Sequence, residues 1–529
     1  MLIRVLSSLL ICALPLSAQD TVDLTVLNHI KAEAFQNSQA MDHLFYISDV
    51  YGPRLTNSPG HRQAAEWAAK RLESYGLKNV KLEKWGPFGQ SWQLKFFSAH
   101  LMEPQYMPLI GIPLAWTPGT NGVINAEPVM AVIKHEDDFA KYGGKLRGKV
   151  VLDMAPKEIE MSTEPMAHRL TNEEILARET VLDPSRLGPG FGGGRRAATP
   201  PLTPEERTAA AKFRTKVQQF YKQEGAVVVL EYGFNGDGGT VFATAGGSRN
   251  PKDPIPLPTV AVTPEHYNRI ARLIAHNIPV KLQFDIQAQF LNDNPDSFNI
   301  VGEIPGTTKP DELVMLGGHF DSWHAATGAT DNGTGSTVAI EAVRILSALR
   351  LPMARTVRIA LWGGEEEGLL GSIAYVQEHF AHRDTMVLGP EYNKLSAYYN
   401  DDSGTGRFRG ISVGGNDMCV PIFESWLAPL KDLEADAVVG RTGALPKQPG
   451  GTDSTSFSWI GLPGFGFMQD PMEYGTRTHH SNMDFYDRVQ KGDVMQSSAI
   501  MAWFVYNTAT RAEMMPRMPM PKATKKESL

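Results

Sequence analysis

Two apolar runs in the second half of the chain end abruptly in glycine and polar residues. The first, residues 313–316, leads to His319 and Asp321, and the second, residues 357–362, leads to Glu365. Continuous apolar runs of this length are typical of strands that are buried on both faces of a parallel sheet. In open α/β sheets, ligands bind at the carboxyl ends of such strands. The sequence therefore predicts an α/β fold whose ligand-binding edge carries a histidine and several carboxylates.

The donors expected at this edge are one imidazole and a group of carboxylates. In chain order they are His319, Asp321, Asp331, Glu365, Glu366 and Glu367. Imidazole nitrogen and carboxylate oxygen together form a ligand set that suits zinc. A metal site at the carboxyl end of the sheet is therefore the first functional hypothesis.

Three motifs in this stretch carry a family resemblance. They are His319-Phe320-Asp321, Asp331-Asn332-Gly333, and the run Glu-Glu-Glu-Gly-Leu-Leu-Gly-Ser at residues 365–372. In this order they resemble peptidase family M28, a family of di-zinc aminopeptidases and carboxypeptidases. The likeness covers most of the chain, including residues 296–304 ahead of the first motif. One motif alone is weak, whereas three in order, each after a predicted strand, are specific.

The resemblance implies a site that holds two Zn²⁺ ions. The first ion would be bound by His319, Asp331 and Asp402, and the second by Asp331, Glu366 and His480. Asp331 would therefore bridge the two ions, and the peptide bond that follows it would be cis, as in relatives. Three protein ligands for each ion leave room for a bridging water, which a catalytic zinc site requires.

Two of these ligands have neighbouring alternatives. Residues 395–404 predict a strand that ends in two acids, and alignment on the Asp-Ser-Gly step selects Asp402, with Asp401 kept as the alternative. The family histidine precedes a small hydroxyl residue, which selects His480 over His479. Because some relatives carry an oxyanion-binding Tyr immediately before this histidine, His479 is interpreted either as an oxyanion group or as a wall of the pocket.

The neighbouring glutamates are expected to have different roles. On an extended strand end, the side chains of Glu365 and Glu366 would point to opposite sides. By resemblance, Glu366 binds zinc, and Glu365 is the general base that takes a proton from the bridging water. Asp321 belongs to the catalytic group as a carboxylate beside His319 and is not a ligand. Glu367 is interpreted as a spectator. A further histidine, His324, is interpreted as a decoy rather than a ligand.

The resemblance also implies the fold and its domains. We expect a three-layer α/β/α zinc-exopeptidase fold with a mixed central sheet, formed by residues 19–115 and a catalytic di-zinc domain at 261–511. Residues 116–260 contain short β-like runs that resemble an inserted, β-rich protease-associated domain. This segment includes a Pro/Gly-rich loop at about 157–210, whose glycines lack the spacing of a phosphate-binding loop. Residues 512–529 are predicted to be a disordered tail.

The amino terminus is typical of a secretory signal peptide, predicted at residues 1–18. Arg4 supplies the positive charge, residues 5–16 the apolar stretch, and Ser17 with Ala18 the small residues before the cleavage site. No apolar run is long enough to span a bilayer comfortably, so stable membrane insertion is not expected. We therefore expect a periplasmic or extracellular protein. Cys419 would then be the single cysteine and is interpreted as a small buried residue.

The net charge of −7 argues against nucleic acid as a partner, because phosphate binding needs a basic face. The implied function is a secreted or periplasmic di-zinc exopeptidase that hydrolyses dipeptides or short peptides. The main alternative is an aminopeptidase of broad specificity. A non-catalytic binding protein or a glutaminyl cyclase of the same fold is less favoured, because all five ligands and Glu365 are present. The resemblance leaves a homodimer open.

Overall fold

The computed structural model describes residues 22–180, 203–233, 235–442 and 451–524 of the chain. The predicted signal peptide, residues 181–202 of the Pro/Gly-rich loop and the end of the tail lie outside the described residues. The strands are β1 (Lys78–Trp85), β2 (Ser91–Glu103), β3 (Met107–Pro108), β4 (Gly111–Pro113), β5 (Ile124–Ala126), β6 (Pro128–Met130), β7 (Val150–Leu152), β8 (Val228–Tyr232), β9 (Thr259–Val262), β10 (Lys281–Leu291), β11 (Ser297–Ile304), β12 (Lys309–His319), β13 (Arg355–Trp362), β14 (Leu395–Asn400), β15 (Phe408–Ser412), β16 (Ala437–Val439) and β17 (Gly464–Gln469).

The α-helices alternate with these strands for most of the chain. They are α1 (Leu24–Gln36), α2 (Ala40–Phe45), α3 (Pro59–Ser74), α4 (Phe139–Tyr142), α5 (Asn172–Arg178), α6 (Pro204–Gln223), α7 (Pro264–Ala275), α8 (Thr334–Leu349), α9 (Leu370–His379), α10 (Val420–Leu427), α11 (Ser454–Ser458) and α12 (Lys491–Thr510). Helix α3 shows how local sequence sets such an element. Its N-cap Ser58 accepts a hydrogen bond from the His61 N–H, and Pro59 stands at the first helical position.

The largest sheet is mixed and has eight strands in the order β1-β11-β13-β12-β14-β17-β15-β16. Successive side chains of β12 enter different cores, as the pleat of a strand requires. Val314 and Leu316 pack in the core that contains residues of α8 and α12, whereas Leu313 and Met315 pack in the core that contains Tyr375 of α9. Helices therefore cover both faces of the sheet, and the expected three-layer α/β/α fold with a mixed central sheet is confirmed.

Four neighbouring strands at the centre of this sheet are parallel. Strand β12 pairs in parallel with β13 on one side and β14 on the other, and β14 pairs in parallel with β17. The carboxyl ends of β13, β12, β14 and β17 consequently lie at the same edge of the sheet. This edge is where the sequence predicts the site.

The segment 116–260 contains most of a separate five-stranded sheet, in the order β4-β9-β8-β7-β6. The runs predicted as β-like in this segment form β6, β7 and β8, which pair in parallel. Strands β2, β3, β5 and β10 form a four-stranded sheet in the order β3-β2-β10-β5, and β5 of this sheet also lies in the 116–260 segment. The assignment of residues 116–260 to a protease-associated domain stays a prediction.

The stretch at 157–210 differs from the loop that we predicted, because it contains α5 and the start of α6. Each helix begins with a capping box: Thr171 pairs reciprocally with Glu174, and Thr203 with Glu206. In this motif the threonine side chain accepts from a backbone N–H three residues later while the glutamate accepts in return. The Thr-x-x-Glu signal was present in the sequence and outweighs the surrounding Pro and Gly.

Residues 512–524 of the tail differ from the predicted disorder, because they contact the main domain. Met515 is buried, the Asn416 side chain donates to the Pro516 carbonyl oxygen at 2.8 Å, and the Arg517 guanidinium donates to the Leu395 carbonyl oxygen at 2.6 Å. The apolar and basic residues of the tail thus find partners on the main domain. Cys419 is buried beside it, as predicted, and burial raises the pKa of its thiol to about 12.

None of the helices within the described ranges combines the length and the apolar character that crossing a bilayer requires.

His379, at the end of α9, links two carboxylates on different elements. Its Nε2 lies 2.6 Å from Glu83 Oε1 on β1, and its Nδ1 lies 3.2 Å from Glu391 Oε2, which also pairs with Arg358. Burial alone would lower the pKa of His379. The hydrogen bonds to Glu391 and Glu83 outweigh burial and raise the pKa to about 9, from an ordinary value of 6.5.

This arrangement predicts a pH-dependent contribution to stability. A histidine with a raised folded-state pKa stabilises the fold fully below its unfolded pKa and loses that contribution as the pH rises to the folded value. We therefore expect the contribution of His379 to disappear between about pH 6.5 and 9. In thermal unfolding at saturating zinc, the midpoint of His379→Gln should fall less over this window than that of the wild type. Equal pH slopes for the two proteins would contradict the prediction.

Candidate metal centre

The parallel strands bring the predicted ligands to one edge of the sheet. His319 is the last residue of β12, and Asp402 follows β14 by two residues. Glu366 follows β13, and His480 lies in the segment after β17. Asp331 lies in the turn before α8, and its peptide bond to Asn332 is cis, as the resemblance implied.

The first group forms around His319. Its Nε2 lies 3.2 Å from Asp402 Oδ1 and 3.3 Å from Asp331 Oδ1. The other ring nitrogen, Nδ1, donates a hydrogen bond to the backbone carbonyl oxygen of Asp321 at 3.1 Å. Because a carbonyl can only accept, this bond places the proton on Nδ1 and leaves the Nε2 lone pair toward the carboxylates. His319 is therefore held in the tautomer that a metal ligand needs.

The second group forms around His480. Its Nε2 lies 2.8 Å from Glu366 Oε2 and 3.2 Å from Asp331 Oδ2. The ring of His479 lies against that of His480, with 3.7 Å between centroids, and its Nε2 is 3.7 Å from Asp331 Oδ2. Both histidines thus reach Asp331. The contact with Glu366 is what distinguishes His480 as the ligand that we predict.

Asp331 lies between the two groups and is held there by its backbone. Its N–H donates to Asp484 Oδ2 at 3.2 Å, and the neighbouring Thr330 N–H donates to the same carboxylate. On the other side, the Asn332 side chain donates to the Asp401 carbonyl oxygen at 2.8 Å. These bonds fix the turn so that each carboxylate oxygen of Asp331 faces a different histidine.

Glu365 and Glu366 lie in a turn after β13, and not on an extended strand end as predicted. Gly364 has φ +76°, a conformation that favours glycine, and it turns the chain before Glu365. The carboxylate of Asp321 accepts the N–H of Glu365 at 3.3 Å and that of Glu366 at 3.3 Å. The turn still separates the two side chains. Glu365 Oε2 lies 4.0 Å from His319 Nε2, whereas Glu366 contacts His480.

The burial and the missing hydrogen bonds of these carboxylates also fit a bound metal ion. Burial raises the pKa of the Glu366 carboxyl to about 7, and Asp331 adds to the shift. In the described part of the chain, Glu366 Oε1 and Asp331 Oδ2 are buried and accept no hydrogen bond. A buried carboxylate oxygen without a partner is costly, and coordination to a cation would satisfy it.

The structure also shows where His324 and Asp401, the other residues considered as ligands, lie. His324 Nε2 lies 2.7 Å from the Pro113 carbonyl oxygen, its ring packs against Trp92, and burial lowers its pKa to about 4. It is not brought into either group. The Asp401 carbonyl oxygen accepts from the Asn332 side chain, and within the described residues no contact joins the Asp401 carboxylate to His319.

Two residues at the site, Asp484 and Tyr474, were missed by sequence reasoning. The ring of Tyr474 lies 4.7 Å from that of His479, and burial together with Asp331 and Asp402 raises the pKa of its hydroxyl well above the usual range. Tyr474 stands five residues before His479, so the family pattern of a Tyr next to the histidine gave no signal for it. Glu367, interpreted as a spectator, lies in the same acidic surroundings, and burial and Asp321 raise its pKa.

Comparison with known proteins shows what this chain is similar to. The family described as "Peptidase family M28" matches residues 299–505, the part of the chain that carries all the predicted ligands. Over these residues the chain is similar to peptidase family M28. This match, with the zinc peptidases among the similar proteins, confirms the enzyme class that the sequence predicts, a zinc metallopeptidase.

Several known proteins match the chain over most of its length. Carboxypeptidase Q of Homo sapiens is 26% identical over 483 residues, which are 91% of this chain and 87% of the relative. A solved structure of a peptidase M28 precursor from Shewanella amazonensis has a TM-score of 0.65 at 23% identity and covers 94% of this chain and 98% of that one. A zinc aminopeptidase from Bacillus subtilis has a TM-score of 0.54 at 17% identity, with 89% and 95% covered. At these identities, the two solved structures support the fold alone.

Proposed function

We propose that this protein is a di-zinc exopeptidase that hydrolyses dipeptides or short peptides. The observation that carries the proposal is the position of Asp331 between two histidines. Its Oδ1 lies 3.3 Å from His319 Nε2, and its Oδ2 lies 3.2 Å from His480 Nε2. A carboxylate with one oxygen toward each group is suited to bridge two ions. Asp402 would complete the first site and Glu366 the second.

Bound zinc would polarise the scissile carbonyl and lower the pKa of water at the site. We assign the proton transfer to Glu365. Its carboxylate takes the proton from the attacking water and gives it to the departing amine, which is the work of a general base and then a general acid. Asp321 holds the turn that presents Glu365 and, through its carbonyl oxygen, orients the ring of His319.

His479 and Tyr474 lie beside the second group, and both carry groups that can donate hydrogen bonds to a substrate oxygen. Donors that are already in place stabilise the negative charge that develops on the carbonyl oxygen during peptide hydrolysis. Burial and the neighbouring His480 lower the pKa of His479 to about 4, so its ring is neutral at physiological pH and offers a single N–H.

An aminopeptidase of broad specificity is the second candidate. The site carries more carboxylates than the ligand set uses, among them Asp453 and Glu367 close to the catalytic turn. A cationic amino group of a substrate would favour the ionised form of such a carboxyl group and would donate hydrogen bonds to it. A dipeptidase and an aminopeptidase both meet this condition. They differ in whether the carboxyl terminus of the substrate is also recognised.

A panel of blocked peptides tests this proposal. We expect free dipeptides to be cleaved and their N-acetyl forms to react at least about tenfold more slowly, because a buried carboxylate would lose its cationic partner. Cleavage of carboxy-amidated dipeptides at the same rate would favour the aminopeptidase, and loss of cleavage would favour the dipeptidase. Any cleavage of denatured casein should release free amino acids from its ends. Release of internal fragments without free amino acids would contradict the exopeptidase proposal.

We also propose that the protein acts in the periplasm or outside the cell on free peptides. The support is the signal-like pattern at residues 1–18.

A further inference from the structure

The segment that carries His480 is held by residues of the 116–260 segment on two sides. On the first side, His168 and Met472 exchange two backbone hydrogen bonds, with N···O distances of 3.0 and 2.8 Å. Thr476 Oγ1 donates to the Met166 carbonyl oxygen at 2.7 Å. Nearby, Arg169 pairs with Asp470 at 2.9 Å. These contacts lie before the two histidines in the chain.

On the second side, the contact reaches the ligand itself. The Ala243 N–H donates to the carbonyl oxygen of His480 at 3.0 Å, and the Asn482 N–H donates to the Val241 carbonyl oxygen at 3.0 Å. Phe242 and Ser481 form an antiparallel bridge between these two bonds. A short piece of the 116–260 segment is therefore paired, residue by residue, with the chain around His480.

Asn482 fastens this pairing with its side chain. Its Oδ1 accepts from the Val241 N–H at 2.7 Å, and its Nδ2 donates to the Gly239 carbonyl oxygen at 3.1 Å. With its backbone bond, Asn482 makes three hydrogen bonds to the 116–260 segment. It stands two residues after His480 and two before Asp484, whose carboxylate holds the backbone of Asp331. Asn482 thus lies in the chain between His480 and Asp484, the residue that holds Asp331. Both His480 and Asp331 are predicted ligands of the second ion.

The backbone of His480 gives a reason for such support. His480 has φ +60°, a left-handed conformation that is uncommon for residues other than glycine. Such conformations persist where the surroundings determine them. The bond from Ala243 to the His480 carbonyl oxygen and the clamp at Asn482 supply these surroundings.

We propose that Asn482 is a positioning residue for the second zinc site and that residues 239–243 are a structural part of that site. Asn482 is assigned no contact with metal or substrate. It holds the His480 segment against residues 239–243, so that the imidazole meets Glu366 and Asp331. The proposal rests on the proposed function, since it concerns the ligand set assigned there.

Asn268 of α7 offers a matched control, because it also holds backbone of the 116–260 segment. Its Oδ1 accepts from the Lys157 N–H at 2.9 Å and its Nδ2 donates to the Lys157 carbonyl oxygen at 2.7 Å. It therefore clamps backbone as Asn482 does, but it does not contact the His480 segment. Asn268→Ala removes the same type of bond, and any general loss of stability should be shared by the two variants.

The experiment measures zinc affinity by competition with a chelator, for wild type, Asn482→Ala and Asn268→Ala. We expect Asn482→Ala to bind the weaker of its two ions about 10- to 100-fold less tightly and to bind the other ion with unchanged affinity. A loss of this size is typical when a group that orients a metal ligand is removed. Its kcat should recover as zinc is added. Asn482→Asp keeps the oxygen that accepts from Val241, so its loss should be smaller. Asn268→Ala should bind both ions as the wild type does.

The outcomes separate the two proposals. Two ions in the wild type with unchanged affinity in Asn482→Ala would overturn this inference and leave the proposed function standing. Equal loss of affinity in Asn482→Ala and Asn268→Ala would overturn it as well, because the effect would then be general. If Asn482→Ala does not fold, the comparison of Asn482→Asp with Asn268→Ala decides in the same way. Fewer than two ions in the wild type would instead contradict the proposed function.

Discussion

Replacing Glu365 with Gln is expected to lower kcat by about 10² or more, the scale of lost general-base catalysis, while zinc stays bound at two ions per chain. The amide keeps the size and polarity of the side chain but cannot accept the proton. The metal should be retained because no predicted ligand is changed. The Asp321 carboxylate would still accept the backbone N–H groups that hold the turn.

Metal analysis and kcat on the same purified preparation test this result. Glu424→Gln is the control, because Glu424 is exposed on α10 and takes no part in the site. That variant should match the wild type in both measurements. Full activity in Glu365→Gln with both ions present would remove Glu365 from the mechanism.

Replacing Glu366 with Gln is expected to fail in a different way. Glu366 contacts His480 at 2.8 Å and has a second buried oxygen without a partner, so it is placed to bind metal and not to move protons. The amide is a weaker ligand. The second ion should therefore be depleted and activity lost, with partial recovery as zinc is added, following mass action.

The two variants together decide the assignment of the pair. If Glu365→Gln loses zinc and Glu366→Gln keeps it, the roles are reversed. If both keep zinc and full activity, the catalytic proposal itself fails. Recovery of Glu366→Gln by zinc, with no recovery of Glu365→Gln, is the pattern that the geometry predicts.

The elements that carry the site could be predicted from the sequence because their signals are local. The apolar runs before His319 and Glu365 are strands β12 and β13, and the residues after Gly333 form helix α8. Parallel pairing brings the ends of these strands together, and the family resemblance selected Asp402 and Glu366 as the partners of His319 there. The assignment of these residues as ligands stays a prediction that the geometry supports.

Other features depend on contacts that no local pattern records. Tyr474 reaches the site because of how the segment after β17 folds back, and its spacing from His479 gave no sign of this. Asn482 acts through Gly239 and Val241, more than two hundred residues earlier in the chain. The tail was expected to be disordered from its composition, yet Met515 is buried. Long-range packing decided each of these outcomes.

The most direct test of the central claim is anomalous X-ray scattering from crystals of the wild-type protein, measured at the zinc edge. We expect two zinc peaks for each chain, on either side of the Asp331 carboxylate. One should lie among His319, Asp331 and Asp402, and the other among Asp331, Glu366 and His480. A single peak, or a second ion bound by His479 in place of His480, would contradict the proposed site.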